Sequence, residues 1–326
     1  MIDRTIDHMP TWESPRHRVA VIVPAYNAAA TLGASLASVA GQRVRPSEVV
    51  VVDDGSNDDT AQIAAEWSAH LPLEVVSTSG NRGPGESRNE GVRRTVAPFV
   101  AFLDADDVWF PNHLELCLAL YDKSPGVVTA SGLRWNPVDG TVQQRPASSG
   151  IEGATADAQV EWLIRHRSFG IHAILARCVF EKVGGFDPTL DGVEDWDLWI
   201  RIARLGVRLQ RSPNPTFLYR QHNDNLSKNV EKVGRAGLRL LDRLQHEILS
   251  EPERQQLAGA IRESRARIVL NLAFAKLAVG NMGEARSLAL RSLRGPPAVA
   301  LRGAAVVLAP DWVARARTHR RQRGAA

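Results

Sequence analysis

Four short clusters hold the residues that could do chemistry: Pro24-Ala-Tyr-Asn27, Asp53 to Thr60, Asp104-Ala105-Asp106-Asp107, and Glu194-Asp195-Trp196-Asp197. Carboxylates crowded into one loop repel one another, and a hard cation relieves that cost. An Asp-x-Asp triplet offers oxygen ligands to Mg²⁺ or Mn²⁺ and leaves coordination positions for phosphate oxygens. Asp and Asn are also ordinary turn residues. Alone, Asp53 to Thr60 reads as an Asx-rich turn, whereas Asp104 to Asp107 fits a cation site and a turn equally well. Acids at a helix start, as at Glu194 to Asp197, complement the positive end of the helix dipole.

The elements that must position these clusters follow from the pattern around them. Val19 to Val23, Val49 to Val52 and Phe99 to Leu103 are uninterrupted apolar runs, each ending where a cluster begins, and Leu73 to Val76 is another. Between them lie segments of helical period. Thr31 to Ala40, N-capped by Thr31, puts Leu32, Leu36 and Val39 on one face. The others run from Asp58 or Asp59 to Trp67, Gly85 to Val96, and Pro111 to Tyr121. Strands apolar on both faces, alternating with helices, predict an α/β fold with a mostly parallel sheet. Ligands of such sheets bind beyond the carboxyl ends of the strands, which is where the clusters fall. Residues 137–150 read as a loop or a mobile hairpin. Beyond Lys228 the strand signals stop and the spacing is helical, with a turn at Gly280 to Gly283 and a further helix from Glu284. That helix–turn–helix resembles half of a tetratricopeptide repeat, but no second copy follows, which favours a plain helical hairpin.

Of the 326 residues, 44% are apolar and 23% charged, which supports a sizeable core and excludes a disordered or fibrous chain. Two cysteines, Cys117 and Cys178, cannot build a disulfide scaffold, so a reduced, cytoplasmic setting is expected. The first eighteen residues lack an apolar secretory core. The best membrane-span candidate, Ile268 to Val279, is interrupted by Asn271 and Lys276. The net charge of +4 hides a split: residues 1–227 carry 21 Lys/Arg against 28 Asp/Glu, and residues 228–326 carry 19 against 8. A basic end suggests an anionic partner. We expect Arg315 to Arg323 to rest on an anionic membrane surface, with Trp312, Val313 and Ala304 to Ala309 entering its interface. That would make the protein peripheral on the inner face of the membrane. No nucleic-acid recognition motif is present.

Taken together and in order, the motifs Val21-Ile-Val-Pro-Ala-Tyr-Asn27, Val52-Asp-Asp-Gly-Ser56, Asn81-Arg-Gly83 with Arg88-Asn89, Phe102-Leu-Asp-Ala-Asp-Asp107, Gly184-Gly-Phe-Asp187 and Glu194-Asp-Trp-Asp-Leu-Trp199 closely resemble the family 2 glycosyltransferases, inverting enzymes of GT-A fold. The resemblance spans residues 18–227. It implies a Rossmann-like GT-A domain there, after a flexible extension at 1–17 and before a basic helical region at 228–326. It also implies a nucleotide-diphosphate-sugar donor, most often a UDP-sugar, a Mn²⁺ or Mg²⁺ cofactor, and a glycan or lipid-linked acceptor of surface polysaccharide or glycolipid assembly. Pro24, Ala25, Tyr26 and Asn27 would line the nucleotide pocket, with Asp53 and Asp54 on base and ribose and Arg82, Gly83 and Arg88 near the nucleotide. Asp104, Ala105 and Asp106 would serve ribose and metal, and Asp195 would be the base, with Glu194 its competitor.

Further along, Tyr219-Arg-Gln-His222 resembles a segment that closes over the diphosphate. His222 is therefore a candidate metal ligand and Arg220 a candidate phosphate contact. Trp135, His172 and Trp196 are candidates for the acceptor side, although Trp196 also suits a helix core and His172 a strand with a local partner. Glu86 departs from the family pattern and could repel a phosphate. Two other readings stay open: a nucleotidyltransferase, which would need a Gly-rich basic loop after the first strand that Pro24 to Ala30 does not supply, and a non-catalytic nucleotide- or glycan-binding module. Dinucleotide oxidoreduction lacks its G-x-G-x-x-G fingerprint.

Overall fold

The apolar runs become strands. A computed structural model describes residues 18–123, 125–144, 151, 154–167, 169–222, 225–310 and 313. In it, β1 (Val19–Ala25), β2 (Glu48–Asp53), β3 (Leu73–Ser77) and β4 (Phe99–Phe102) pair in parallel in the order β3-β2-β1-β4. The residues of β1 and β4 are buried throughout, as expected of strands covered on both faces. The crossovers carry α1 (Leu32–Ala40), α2 (Thr60–Glu66) and α3 (Pro84–Arg93). Gly91 lets α3 press onto β1, since a Cβ there would lie 2.3 Å from Cγ2 of Ile22.

The second half of the sheet was largely invisible in the sequence. β5 (Val108–Trp109), β6 (Val127–Trp135), β7 (Val142–Gln144), β8 (Ala173–Ala176) and β9 (Leu209–Arg220) extend it to nine strands, in the order β3-β2-β1-β4-β8-β6-β9-β5 with β7 on β6. β8 runs antiparallel between β4 and β6, while β6 and β9 are parallel over a long register broken by two irregularities. Residues 142–144 pair with β6 as a hairpin strand. α4 (His113–Lys123), α5 (Ala156–His166), α6 (Arg177–Lys182) and α7 (Glu194–Arg204) complete the flanking layers. The result is the expected α/β architecture, a mostly parallel central sheet flanked by helices.

Some boundaries shift for local reasons. Thr31 does not cap α1; its hydroxyl donates to the Ala28 carbonyl at 3.3 Å. α3 stops at Arg93 rather than Val96, because Thr95 folds its hydroxyl onto the Val92 carbonyl at 3.0 Å and Pro98 follows.

After residue 225 the chain is helical: α8 (Val230–Arg243), a π-helical turn at Leu244–Ile248, α9 (Glu251–Ala278), α10 (Met282–Ser292) and α11 (Pro297–Leu308). α9 opens on a capping box formed by Ser250 and Glu253. Ala273, Leu277, Ala285, Ala289, Val306 and Val313 form a core among these helices. Small residues let them approach, for a Cβ on Gly303 would meet Oγ of Ser292 at 2.3 Å. The described residues divide into two compact units, 18–163 with 167–222 and 164–166 with 225–313. Expectations for residues 1–17, Trp312 and Arg315 to Arg323 lie outside the described residues.

Candidate functional site

Two loops at the carboxyl ends of β1 and β2 are laced together by their polar residues. Asn27, held at φ 49°, donates its backbone N–H to Oγ of Ser56 at 2.9 Å, and its side-chain oxygen accepts from the Asn57 N–H at 2.9 Å. Oγ1 of Thr60 accepts from Ala28 at 2.8 Å and Oδ2 of Asp58 from Ala29 at 3.1 Å. Asn27 therefore shapes the loop with both its backbone and its side chain. Pro24 and Ala25 end β1 buried, and Tyr26 stands at the mouth, 45% exposed.

The neighbouring acids differ. Asp53 accepts the Ser56 N–H on one oxygen at 3.1 Å. Asp54 is committed on both: Oδ2 accepts from the backbones of Arg82 at 2.9 Å and Gly83 at 2.8 Å, and Oδ1 accepts from Oγ1 of Thr78 at 3.1 Å. Asp54 thus fastens the 81–83 loop, and the exposed Arg82 guanidinium lies 4.0 Å from its Oδ1.

Arg88, 4% exposed on α3, is the centre of the site. One terminal nitrogen donates to Oδ1 of Asp104 at 2.6 Å, and the other donates to Oε1 of Glu194 at 2.8 Å. The end of β4 is thereby tied to the start of α7. Burial works against ionisation of Asp104, but Arg88 overrides it and holds the carboxyl below its usual range. Glu194, buried and accepting also from the Gly192 N–H at 2.8 Å, is fully engaged. Asp195, one residue on, is pushed up to about 6 by burial and by the adjacent Glu194 charge, against Arg88, its bond from the Trp196 N–H and Arg167. A carboxylate poised nearer neutrality suits proton abstraction better than an ion-paired one.

Beside this bridge, the Asp106 and Asp107 side chains part ways. Asp106 Oδ2 lies 2.7 Å from Nε2 of His222, both side chains about a third exposed. Arg220 donates from Nε to the Asp106 carbonyl at 2.9 Å and stacks over the Trp135 ring at 4.9 Å. Asp107 is fully buried, its Oδ1 accepting from the Arg220 N–H at 2.9 Å and its Oδ2 facing Nε2 of His172 at 2.7 Å. Burial pushes Asp107 up to about 6 against the bond from His172. Nδ1 of His172 accepts from the Trp109 indole N–H at 3.2 Å, so the ring is the Nε2–H tautomer.

Asp104, Asp107 and His172 offer one donor atom each within 4.8 Å of one another and could hold a metal ion. Asp107 and His172, however, already spend both their polar atoms on neighbours. Asp106 and His222, hydrogen-bonded to each other at 2.7 Å, are the more accessible carboxylate–imidazole pair, each side chain about a third exposed. A carboxylate and an imidazole with open solvent on one side fit an ion completed by phosphate oxygens.

Two acceptor-side expectations need correcting. Trp196 is 3% exposed and donates its indole N–H to the Leu163 carbonyl at 2.8 Å, so it offers no face to a sugar. His172 is 2% exposed and locked between Asp107 and Trp109, so it does not face an acceptor. Trp135 is partly exposed beneath Arg220. Glu86 pairs with Arg93 at 2.7 Å along α3. Asp107 belongs to the Asp104–Asp107 run that the sequence marks as a possible cation site, whereas Arg167, stacked 4.5 Å over Trp196, carries no signal in the sequence.

Comparison with known proteins adds the family. Residues 20–184 match the model of glycosyl transferase family 2, and residues 141–274 match that of glycosyltransferase like family 2. A pre-mycofactocin glycosyltransferase of Mycobacterium tuberculosis is 30% identical over 226 residues, covering 65% of this chain and 45% of that protein. An uncharacterized glycosyltransferase of Haemophilus influenzae is 26% identical over 193 residues, covering 57% and 62%. The chain thus spans about half to three-fifths of the length of these curated relatives. S. aureus TarS 1-349 in complex with UDP-GlcNAc shares the fold at a TM-score of 0.65 and 18% identity, covering 91% of each chain. A mannosyltransferase from Pyrobaculum calidifontis in complex with GDP-Man and Mn²⁺ does so at 0.60 and 20%, covering 91% of this chain and 89% of its own. With its model matched over half the length, the chain belongs to glycosyl transferase family 2.

Proposed function

We propose that the protein is a metal-dependent inverting glycosyltransferase, moving a sugar from a nucleotide-diphosphate donor to a hydroxyl of a glycan or lipid-linked acceptor. The observation that carries this reading is the Arg88 bridge, which holds the Asp104–Asp106 loop against the helix start that bears Asp195. In this account residues 18–227 form the catalytic domain and residues 228–326 a basic helical region. Pro24, Ala25, Tyr26 and Asp53 line the nucleotide pocket, while Asp54 and Asn27 keep its loops in shape.

Sugar hydroxyls are very weak acids, so attack benefits from a base that removes the proton as the new bond forms. Asp195 takes that proton. The acceptor oxygen bonds to the anomeric carbon from the face opposite the diphosphate, whose bond to that carbon breaks, and the configuration inverts. Arg220 and Arg82 offset the charge arriving on the diphosphate. Mn²⁺ or Mg²⁺, held by Asp106 and His222 beside Asp104, would supply Lewis-acid stabilisation of the leaving group. Trp135 is the remaining aromatic platform for a sugar.

A UDP-sugar donor is supported by the UDP-GlcNAc complex of the S. aureus protein. A lipid-linked acceptor is supported by an Escherichia coli UDP-Glc:alpha-D-GlcNAc-diphosphoundecaprenol beta-1,3-glucosyltransferase, 34% identical over 106 residues that cover 32% of this chain and 42% of that protein. Among the described residues no helix is long and apolar enough to cross a membrane. A place on the cytoplasmic surface of the membrane belongs to the same proposal and is supported by the basic excess after residue 227. The test is a panel of UDP-glucose, UDP-GlcNAc and GDP-mannose, each titrated with and without Mn²⁺. One donor is expected to bind and hydrolyse only with metal, and Asp106→Ala to abolish the metal's effect. Failure of every donor to bind, with or without metal, would leave a non-catalytic module.

A further inference from the structure

Away from the acidic site, the helical unit contains a groove of about 1070 Å³ bounded by the turn before α9, by α9 itself and by α10. Arg254, Arg262, Arg265, Arg291 and Arg294 line it, with Glu251 a carboxylate among them. Two of the arginines are neutralised nearby. Arg254 pairs with Glu251 at 2.7 Å and Arg265 with Asp242 at 2.7 Å. Arg262, Arg291 and Arg294 are exposed and have no ion pair among the described residues. Three exposed guanidiniums along one groove whose own acid is already paired present a positive surface that an anion can meet.

The groove is not polar throughout. Ile261 and Val269 lie along it, and Leu290 on α10 contributes an apolar side chain that is 53% exposed. Leu293, just past the end of α10, is 39% exposed. Guanidinium forks match phosphate oxygens in shape as well as charge. An apolar edge beside them suits the first carbons of an acyl or prenyl chain. We propose that this groove is a binding site for the phosphate headgroup of an anionic lipid, with Arg262, Arg291 and Arg294 on the phosphate and Leu290 against the chain. The site goes beyond the transferase reading, since it depends on neither the donor nor the catalytic acids.

The test is sedimentation of the full-length protein with phosphatidylglycerol vesicles. Two triple variants remove equal charge: Arg262→Gln with Arg291→Gln and Arg294→Gln in the groove, and Arg239→Gln with Arg286→Gln and Arg302→Gln on exposed positions outside it. Both triples should melt with the native protein, because all six side chains are exposed. Each juxtamembrane arginine is worth roughly a fivefold change in partition, so the groove triple should bind about 100-fold more weakly than the native chain and at least tenfold more weakly than the control triple. Leu290→Gln, which leaves the charge unchanged, should weaken binding severalfold. Equal binding by the two triples would overturn the proposal, because bulk charge alone would then explain the attraction. Unchanged binding by Leu290→Gln would also overturn it. So would binding of inorganic phosphate to the groove in solution with vesicle binding unaffected by the groove triple, which would make the site one for free phosphate.

Discussion

Arg88 is the side chain on which two acidic halves of the site meet, and its geometry explains why lysine could not replace it. A single ammonium cannot reach Asp104 at 2.6 Å and Glu194 at 2.8 Å from two diverging nitrogens. Lysine keeps the charge but can hold only one of the two carboxylates, and a lost hydrogen bond to a charged group costs about 1.5–3 kcal/mol. Arg88→Lys should therefore lower the melting temperature by several degrees and weaken donor binding together, as read by calorimetry and donor titration. A native-like melt would contradict the bridge. At Asp195 the prediction concerns pH. A base must be deprotonated to act, so a carboxyl raised to about 6 in the free protein moves the acid limb of kcat/KM upward, to about pH 6 rather than about 4. Activity should rise through pH 6 and level off above pH 7. A limb near pH 4 would point to an unperturbed acid instead.

At the scale of elements, the parallel half of the sheet was legible and the rest was not. Val49 to Val52 is apolar at every position, which only a strand buried on both faces explains economically. β9 carries Pro213 and Pro215 amid polar residues, and its pairing with β6 depends on register shifts that no local pattern announces. The acids of the site could be read because they crowd at strand ends. The engagement of His172 could not, because Asp107 and Trp109 lie 65 and 63 residues away in sequence. The packing of α3 on β1 makes its own prediction. Gly91→Ala would force a methyl to within 2.3 Å of the buried Ile22 side chain, and overpacking of this kind costs about 1–3 kcal/mol. The melting temperature should fall by roughly 2–10 °C, with donor affinity reduced as the loops after β1 shift; an unchanged melt would mean the helix can slide.

Over the whole molecule, the charge division is the property that matters. An acidic first two-thirds and a basic remainder would orient the chain toward an anionic surface, 19 basic residues against 8 acids lying after residue 227. Binding to anionic vesicles should fall steeply as salt rises from about 0.05 to 0.5 M, since the screening length shortens from above 10 Å to only a few Å. Replacing Arg315, Arg317, Arg320, Arg321 and Arg323 by glutamine should reduce flotation further at low salt. Salt-insensitive flotation, or none, would remove the membrane from the account.

As the proposed base, Asp195 is needed for turnover but not for donor binding. The most direct measurement pairs calorimetric titration of the best donor with turnover assays on Asp195→Asn in saturating Mn²⁺. The predicted result is donor affinity within a factor of about three of native, with kcat lowered by about 10²–10⁴-fold, the usual contribution of a general base. Turnover retained at native levels would contradict the assignment.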